Sequence, residues 1–221
     1  IRDYLSSRGI GDVYKRQLQI NAIKFNHKNP FTWASGWKSP IYCDNRIILS
    51  YPEIRKYISK ELSAIVSIKY PETELIAGVA TGAIGIGMLV AEELNKPFVY
   101  VRANPKVHGR KNSIEGHFKD CAKVVVIEDL ISTGGSSLKA CNSLKNEGLK
   151  LLGMVSIFNY DFDLSKKNFL ENNIDHFSLS SFTHLLNYAK EEKFFNSDEM
   201  KHILTWRDCL LYTSPSPRDD R

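Results

Sequence analysis

A β-branched run that gives way at once to two acids and a glycine-hydroxyl turn constrains this chain more than any other feature. Residues 123–127 (KVVVI) read as a strand, and Glu128 and Asp129 follow directly. Ser132, Thr133, Gly134, Gly135, Ser136 and Ser137 then lead into LKACNSLKNEG, a helical stretch that Gly148 would cap. Glycines let a backbone wrap an anion, hydroxyls donate to it, and the positive end of a helix dipole favours it. Two acids before such a cradle would repel a bare phosphate. They suit a ligand that also presents sugar hydroxyls or carries a metal ion. The sequence has no GxxxxGK(S/T), and no G-x-G-x-x-G follows a strand with an acid about 20 residues on, so Walker and dinucleotide-binding readings both fail.

Other apolar runs along the chain also read as strands, without an internal repeat. Residues 74–80 (ELIAGVA) form an apolar run that ends in TGAIGIG and a helix through MLVAEELN. Residues 97–102 (PFVYVR) make a second strand, followed by the polar stretch ANPKVHGRKNSIEGHF instead of a helix. Residues 151–158 (LLGMVSIF) give another strand and 174–179 a fifth. Continuous apolar strands alternating with helices predict an α/β fold with a parallel sheet covered on both faces. Ligands of such sheets bind at the carboxyl ends of strands, which singles out the loops 81–87, 102–118 and 128–137. Upstream, residues 18–25 read as the remnant of an amphipathic helix, and 30–46 (PFTWASGWKSPIYCDNR) as an aromatic, turn-rich loop. Residues 52–66 have a helical period with Pro52 in the first turn.

At 221 residues, 43% hydrophobic and 25% charged, the chain is long enough to bury a sizeable core and is not disordered by composition. No apolar run approaches the ~18 residues that span a bilayer, and no apolar h-region follows the basic N-terminal residues. A net charge of +5 suits phosphate ligands and is too small to argue for nucleic acid. Cys43, Cys121, Cys141 and Cys209 form no CxxC pair, so zinc is not indicated and reduced thiols in the cytoplasm are expected.

The two ends read as foreign. DVYKRQ at 12–17 and CLLYTS at 209–214 can be encoded by reverse-complementary DNA, the pattern of a transposon-end adapter translated at both edges of an assembled fragment. Residues 1–17 and 209–221 are therefore expected to be adapter-derived tails outside the fold. A genomic copy encoding both ends would refute this. The first 17 residues carry Arg2, Arg8, Lys15 and Arg16 against Asp3 and Asp12, and the last 13 carry two arginines and two aspartates, leaving the body at +3.

VVVIEDLISTGGSS resembles the phosphoribosyl pyrophosphate (PRPP) signature of the type I phosphoribosyltransferases, with Ser132 where many members have Thr. FTWASGWKSPIYCDNR resembles the N-terminal region of the orotate-specific members, VRANPKVHGRKNSIEG their catalytic loop, and GVATGAIGIG their pyrophosphate turn. The resemblance implies a central parallel sheet flanked by helices with a small N-terminal hood. Residues 18–70 would form the hood region and 71–208 the core with C-terminal helices. It implies transfer of a 5-phosphoribosyl group from PRPP to orotate in pyrimidine synthesis, giving orotidine 5′-monophosphate and pyrophosphate. Mg²⁺ would be held through PRPP oxygens and water, with no direct protein ligand.

By the same resemblance Lys106, His108 and Asp129 are catalytic. Arg102, Lys106, His108, Glu128, Asp129, Leu130, Ile131, Ser132, Thr133, Gly134, Gly135 and Ser136 would bind PRPP, with Glu128 and Asp129 on the ribose hydroxyls. Ala80, Thr81 and Gly82 would form the pyrophosphate turn, and Ser132 and Lys38 would meet orotate. Ala34 and Ala103 depart from the family, standing where some members have lysine. The family's catalytic loop crosses a dimer interface, so a homodimer with shared sites is expected. Two alternatives remain: a phosphoribosyltransferase for another base, which would lack the WASGWKSPIYCDNR region, or a PRPP-sensing regulator of the same fold. A body charge of +3 without a helix-turn-helix disfavours the regulator.

Overall fold

The computed structural model describes residues 10–26, 29–33, 36–102 and 113–209. Its centre is a six-stranded sheet built from β5 (Leu75–Val79), β6 (Phe98–Val101), β7 (Ile114–Glu115), β8 (Lys123–Ile131), β9 (Lys150–Asn159) and β10 (His176–Ser181). The order is β10-β9-β8-β5-β6-β7; the first five are mutually parallel and β7 pairs antiparallel with β6. All five strands expected from the apolar runs are therefore present. β8 runs four residues further than its β-branched core implies, because the strand continues through the acid pair to Ile131.

Helices cover both faces, as continuous apolar strands require. On one face α2 (Pro52–Lys69) and α3 (Ala83–Glu93) bury Ile58, Leu62, Ile86 and Val90 against Ile76, Val125 and Ile127. On the other, α4 (Gly135–Asn146) and α5 (Asp163–Glu171) bury Leu138, Leu144 and Phe169 against Ala77, Val124 and Val126. Alternate residues of β8 thus supply the two cores, the signature of an extended strand. Gly148 lies just past α4 with φ +81°, the left-handed C′ position its sequence place implied.

The hood is made of short antiparallel pairs. β1 (Ile23–Phe25) pairs with β4 (Ile41–Cys43), and β2 (Phe31–Thr32) with β3 (Lys38–Ser39). Residues 23–25 are thus a strand, and the amphipathic helix expected over 18–25 lies earlier, as α1 (Ile10–Gln19). α1 packs into the molecule through Val13 and Gln17, both fully buried. Burial of an amphipathic turn depends on its side chains, whatever DNA encoded them. After the 3₁₀ turn Asn45–Ser50, α2 packs against the sheet. At the far end α6 (Phe182–Glu191) and α7 (Ser197–Cys209) pack Phe182, Leu185 and Ile203 against hood residues Ile23 and Ile41. Among the described residues no helix is long and apolar enough to cross a membrane.

One glycine of β9 is set by packing. A Cβ at Gly153 would lie 2.4 Å from the Tyr70 hydroxyl, and that ring is pinned because its O–H donates to Asp175 Oδ2 at 2.7 Å. Gly153→Ala should therefore cost about 1–3 kcal/mol by overpacking. Urea denaturation checks this, and an unchanged midpoint would mean the Tyr70 ring can give way.

Candidate active site

Consecutive side chains of an extended strand leave on opposite faces, so the two acids meet different neighbours, although their carboxyls stay close enough to share a hydrogen bond. Glu128 points toward α4 and is only 4% exposed. Its carboxyl accepts from Ser137 Oγ at 2.8 Å and from the Asp129 backbone N–H at 3.1 Å. The sequence reading set both acids on the ribose; the structure buries Glu128 beneath the cradle. Ser137, included in the hydroxyl run but given no ligand, is the residue that meets it.

Asp129 turns the other way and stands over the turn after β5. A Cβ at Gly82 would lie 2.2 Å from Asp129 Oδ2, so only glycine leaves room for the carboxylate there. The neighbouring Ala80–Thr81 peptide is cis. The Ala80 N–H donates to the Val101 carbonyl at 2.8 Å, tying this turn to the end of β6. Ala80, Thr81, Gly82 and Asp129 are thereby brought together.

The cradle begins where β8 ends. Ser132 and Thr133 are half-buried, Gly134 is buried, and Gly135 and Ser136 are exposed at the start of α4. Gly134 takes φ +84°. It also has α5 beneath it, since an added Cβ would meet Phe169 Cε2 at 2.9 Å. Asn168 Nδ2 of the same helix donates to the Thr133 carbonyl at 3.2 Å. No sequence signal marked Asn168 or Phe169, because helix-to-loop support has no local pattern. Leu130 packs into the hood cluster and Ile131 into the sheet, so their side chains are core.

Around this centre the expected residues divide. Arg102 leaves β6, its backbone N–H bonded to the Ser113 carbonyl at 2.8 Å and its Nε 3.9 Å from Glu115 Oε1. Lys106, His108 and Gly109 lie outside the described residues, as do Ala34 and Ala103. Lys38 is an exposed residue of β3, and its carbonyl accepts from Trp206 Nε1 of α7 at 2.7 Å. The hood also supplies Asn45, which donates from Nδ2 to the Asp129 carbonyl at 2.6 Å and was not singled out in the sequence. Beside it Asp44 and Arg46 form a two-pronged pair at 2.7 and 2.8 Å. The hydrogen bonds from Arg46 lower the Asp44 carboxyl below its ordinary value.

Among the described residues no group of three or more His, Cys, Asp or Glu could hold a metal ion. Cys43, Cys121 and Cys141 are unpaired. An open groove of about 650 Å³ lies elsewhere, lined by Lys15, Leu18, Lys24, Phe31, Tyr188 and Phe194 among others, without an acid pair or glycine turn.

Burial raises the Glu128 carboxyl well above its ordinary 4.5, with the charge of Asp129 as the second cause; Asp129 is also raised, chiefly by burial. The unfolded chain ionises Glu128 near its ordinary value, while the folded chain holds the proton to a higher pH. Stability from this group is therefore greatest below about pH 4.5 and declines as pH rises until Glu128 itself ionises. Glu128→Gln, which cannot ionise, should gain melting temperature relative to the parent as pH goes from 5 to 8. A difference that stays constant over that range would contradict a buried, proton-retaining Glu128.

Residues 48–179 match the phosphoribosyl transferase domain family. The chain is 50% identical over 193 residues to an orotate phosphoribosyltransferase of Phocaeicola vulgatus, covering 87% of this chain and 91% of that one. It is 45% identical over 195 residues to the orotate phosphoribosyltransferase of Bacillus subtilis, covering 88% and 90%. Among solved structures, the orotate phosphoribosyltransferase of Aeropyrum pernix superimposes with a TM-score of 0.73 at 21% identity, over 83% of this chain and 99% of that one. The cradle at the head of α4, the turn under Asp129 and this similarity over most of its length agree: the chain belongs to the orotate phosphoribosyltransferase family of glycosyltransferases.

Proposed function

We propose that this chain transfers the 5-phosphoribosyl group of PRPP to orotate, releasing pyrophosphate and forming orotidine 5′-monophosphate. The observation that carries the reading is the exit of β8, where one carboxylate, Asp129, stands over Gly82 while Ser132, Thr133, Gly134, Gly135 and Ser136 follow the strand's last residue, Ile131, with the composition of an anion cradle. A phosphorylated sugar has matching ends: hydroxyls for the acid, a phosphate for the cradle.

As the bond from the anomeric carbon to pyrophosphate breaks, the ribose ring gains positive charge and the leaving group negative charge. Asp129 holds a ribose hydroxyl and lies beside the developing cation. Thr133, Gly134, Gly135 and Ser136 take the 5′-phosphate at the head of α4, with the Ser132 hydroxyl turned toward orotate and Lys38 as its second contact. Leu130 and Ile131 act through their backbone. The turn Ala80–Thr81–Gly82 and Arg102, joined by Lys106 and His108, neutralise the leaving pyrophosphate, which is electrostatic stabilisation without a covalent nucleophile. Glu128 acts from below, tying Ser137 and the Asp129 N–H in place.

One half-buried carboxylate is a donor set that suits Mg²⁺, which keeps waters and binds mainly through substrate oxygens. When bound it supplies positive charge to the pyrophosphate oxygens. Unpaired cysteines agree with a reducing, cytoplasmic setting. A homodimer in which each loop carrying Lys106 serves the neighbouring site completes the reading.

Orotate absorbance should fall only when PRPP and Mg²⁺ are both present; consumption of hypoxanthine, adenine or uracil in its place would favour another base. Mixing the inactive variants Lys106→Ala and Asp129→Ala should restore part of the activity, up to about a quarter if subunits exchange randomly. No recovery would contradict shared sites.

A further inference from the structure

The hood and the acid pair are joined by a buried chain of side-chain hydrogen bonds. Ser180 Oγ of β10 donates to Gln17 Oε1 at 2.9 Å, and Gln17 Nε2 donates to Asn45 Oδ1 at 2.6 Å. Asn45 Nδ2 then donates to the backbone carbonyl of Asp129 at 2.6 Å. Cys43 Sγ adds a weak donor to Asn45 Oδ1 at 3.5 Å. Gln17 and Ser180 are fully buried and Asn45 is 3% exposed. The direction of the chain is unambiguous: a carbonyl can only accept, so the Asn45 amide nitrogen must face Asp129, which leaves its oxygen for Gln17.

The last bond falls where β8 has least support. β5 pairs with β8 only as far as Gly78 opposite Ile127, so the segment from Glu128 to Ile131 is paired on one side alone, with β9. Asp129 lies in that overhang with its carboxylate packed over Gly82. Fixing the Asp129 carbonyl fixes the peptide plane from which the side chain springs, and an active-site group displaced by an ångström loses much of its effect.

We infer that Asn45 is a positioning residue that sets the Asp129 carboxylate for the ribose of PRPP from the hood. The inference rests on the proposed role of Asp129 in holding that ribose. Asn45 lies inside the body of the chain, so its role is independent of the origin of α1.

The test is PRPP affinity by calorimetry, with no base present, beside the melting temperature. Asn45→Leu removes all three bonds while keeping the number of side-chain heavy atoms and should weaken PRPP binding at least fivefold. Asn45→Asp keeps the acceptor for Gln17, loses the donor to Asp129, and should weaken it likewise; it also serves if the leucine variant fails to fold. Gln17→Leu cuts the far end of the same chain and should lower the melting temperature while PRPP affinity stays within twofold. The inference is overturned if both Asn45 variants bind PRPP within twofold of the parent, or if Gln17→Leu weakens binding as much as they do. Failure of the parent chain to bind PRPP at all would instead remove the functional reading beneath it.

Discussion

Two carboxylates on neighbouring residues repel each other, and at the end of β8 they stay close enough for the Asp129 charge and a side-chain hydrogen bond to Asp129 to raise the Glu128 carboxyl, while each also finds neighbours of its own. Glu128 enters the face covered by α4 and Asp129 the face above Gly82. Burying an ionised Glu would be costly. Burial accordingly raises the Glu128 carboxyl, and the bonds it accepts from Ser137 and the Asp129 N–H offset part of that penalty. The outcome is a division of labour: one acid braces the head of α4, and the other stands beside the turn that begins at Ala80.

The same strand exit is braced from two further directions. From below, Asn168 bonds the Thr133 carbonyl and Phe169 fills the space that a side chain at Gly134 would need. Phe169 is stacked in turn on His176, with ring centroids 4.3 Å apart. Burial lowers the His176 pKa, and its Nε2 lies 3.2 Å from Asn159 Nδ2, an arrangement that requires a neutral ring accepting at that nitrogen. From above, Trp206 ties α7 to β3 through the Lys38 carbonyl, and Trp33 packs edge-on against Tyr160 at 4.9 Å. The phosphate role proposed for this loop would gain from such bracing, because little would be left to be ordered on binding.

The sheet was legible in the sequence because each strand is a continuous apolar run, and so was the cradle, because glycines and hydroxyls cluster there. Three things were not. The length of β8 was hidden by Glu128 and Asp129, residue types that are depleted in strands and that read as the start of a loop; with the strand cut short, their opposite facing could not be inferred. The hood strands β2 and β3 are two residues each, too short for any period to register. Asn45, Asn168 and Phe169 act on residues far along the chain, and nothing in their own neighbourhoods reports that contact. The WASGWKSPIYCDNR segment was recognised as a hood through resemblance, while the bond that anchors it to the acid pair became visible only in three dimensions.

The central claim is that Asp129 faces the sugar and Glu128 does not. Its most direct test is the dissociation constant for PRPP with Mg²⁺ in Asp129→Asn and Glu128→Gln, measured in parallel. Replacing a charged acceptor of a ribose hydroxyl removes a bond of about 1.5–3 kcal/mol, so Asp129→Asn should weaken PRPP by at least tenfold, with Glu128→Gln within about threefold of the parent. Equal losses in the two variants, or a larger loss at Glu128, would contradict the division of the pair.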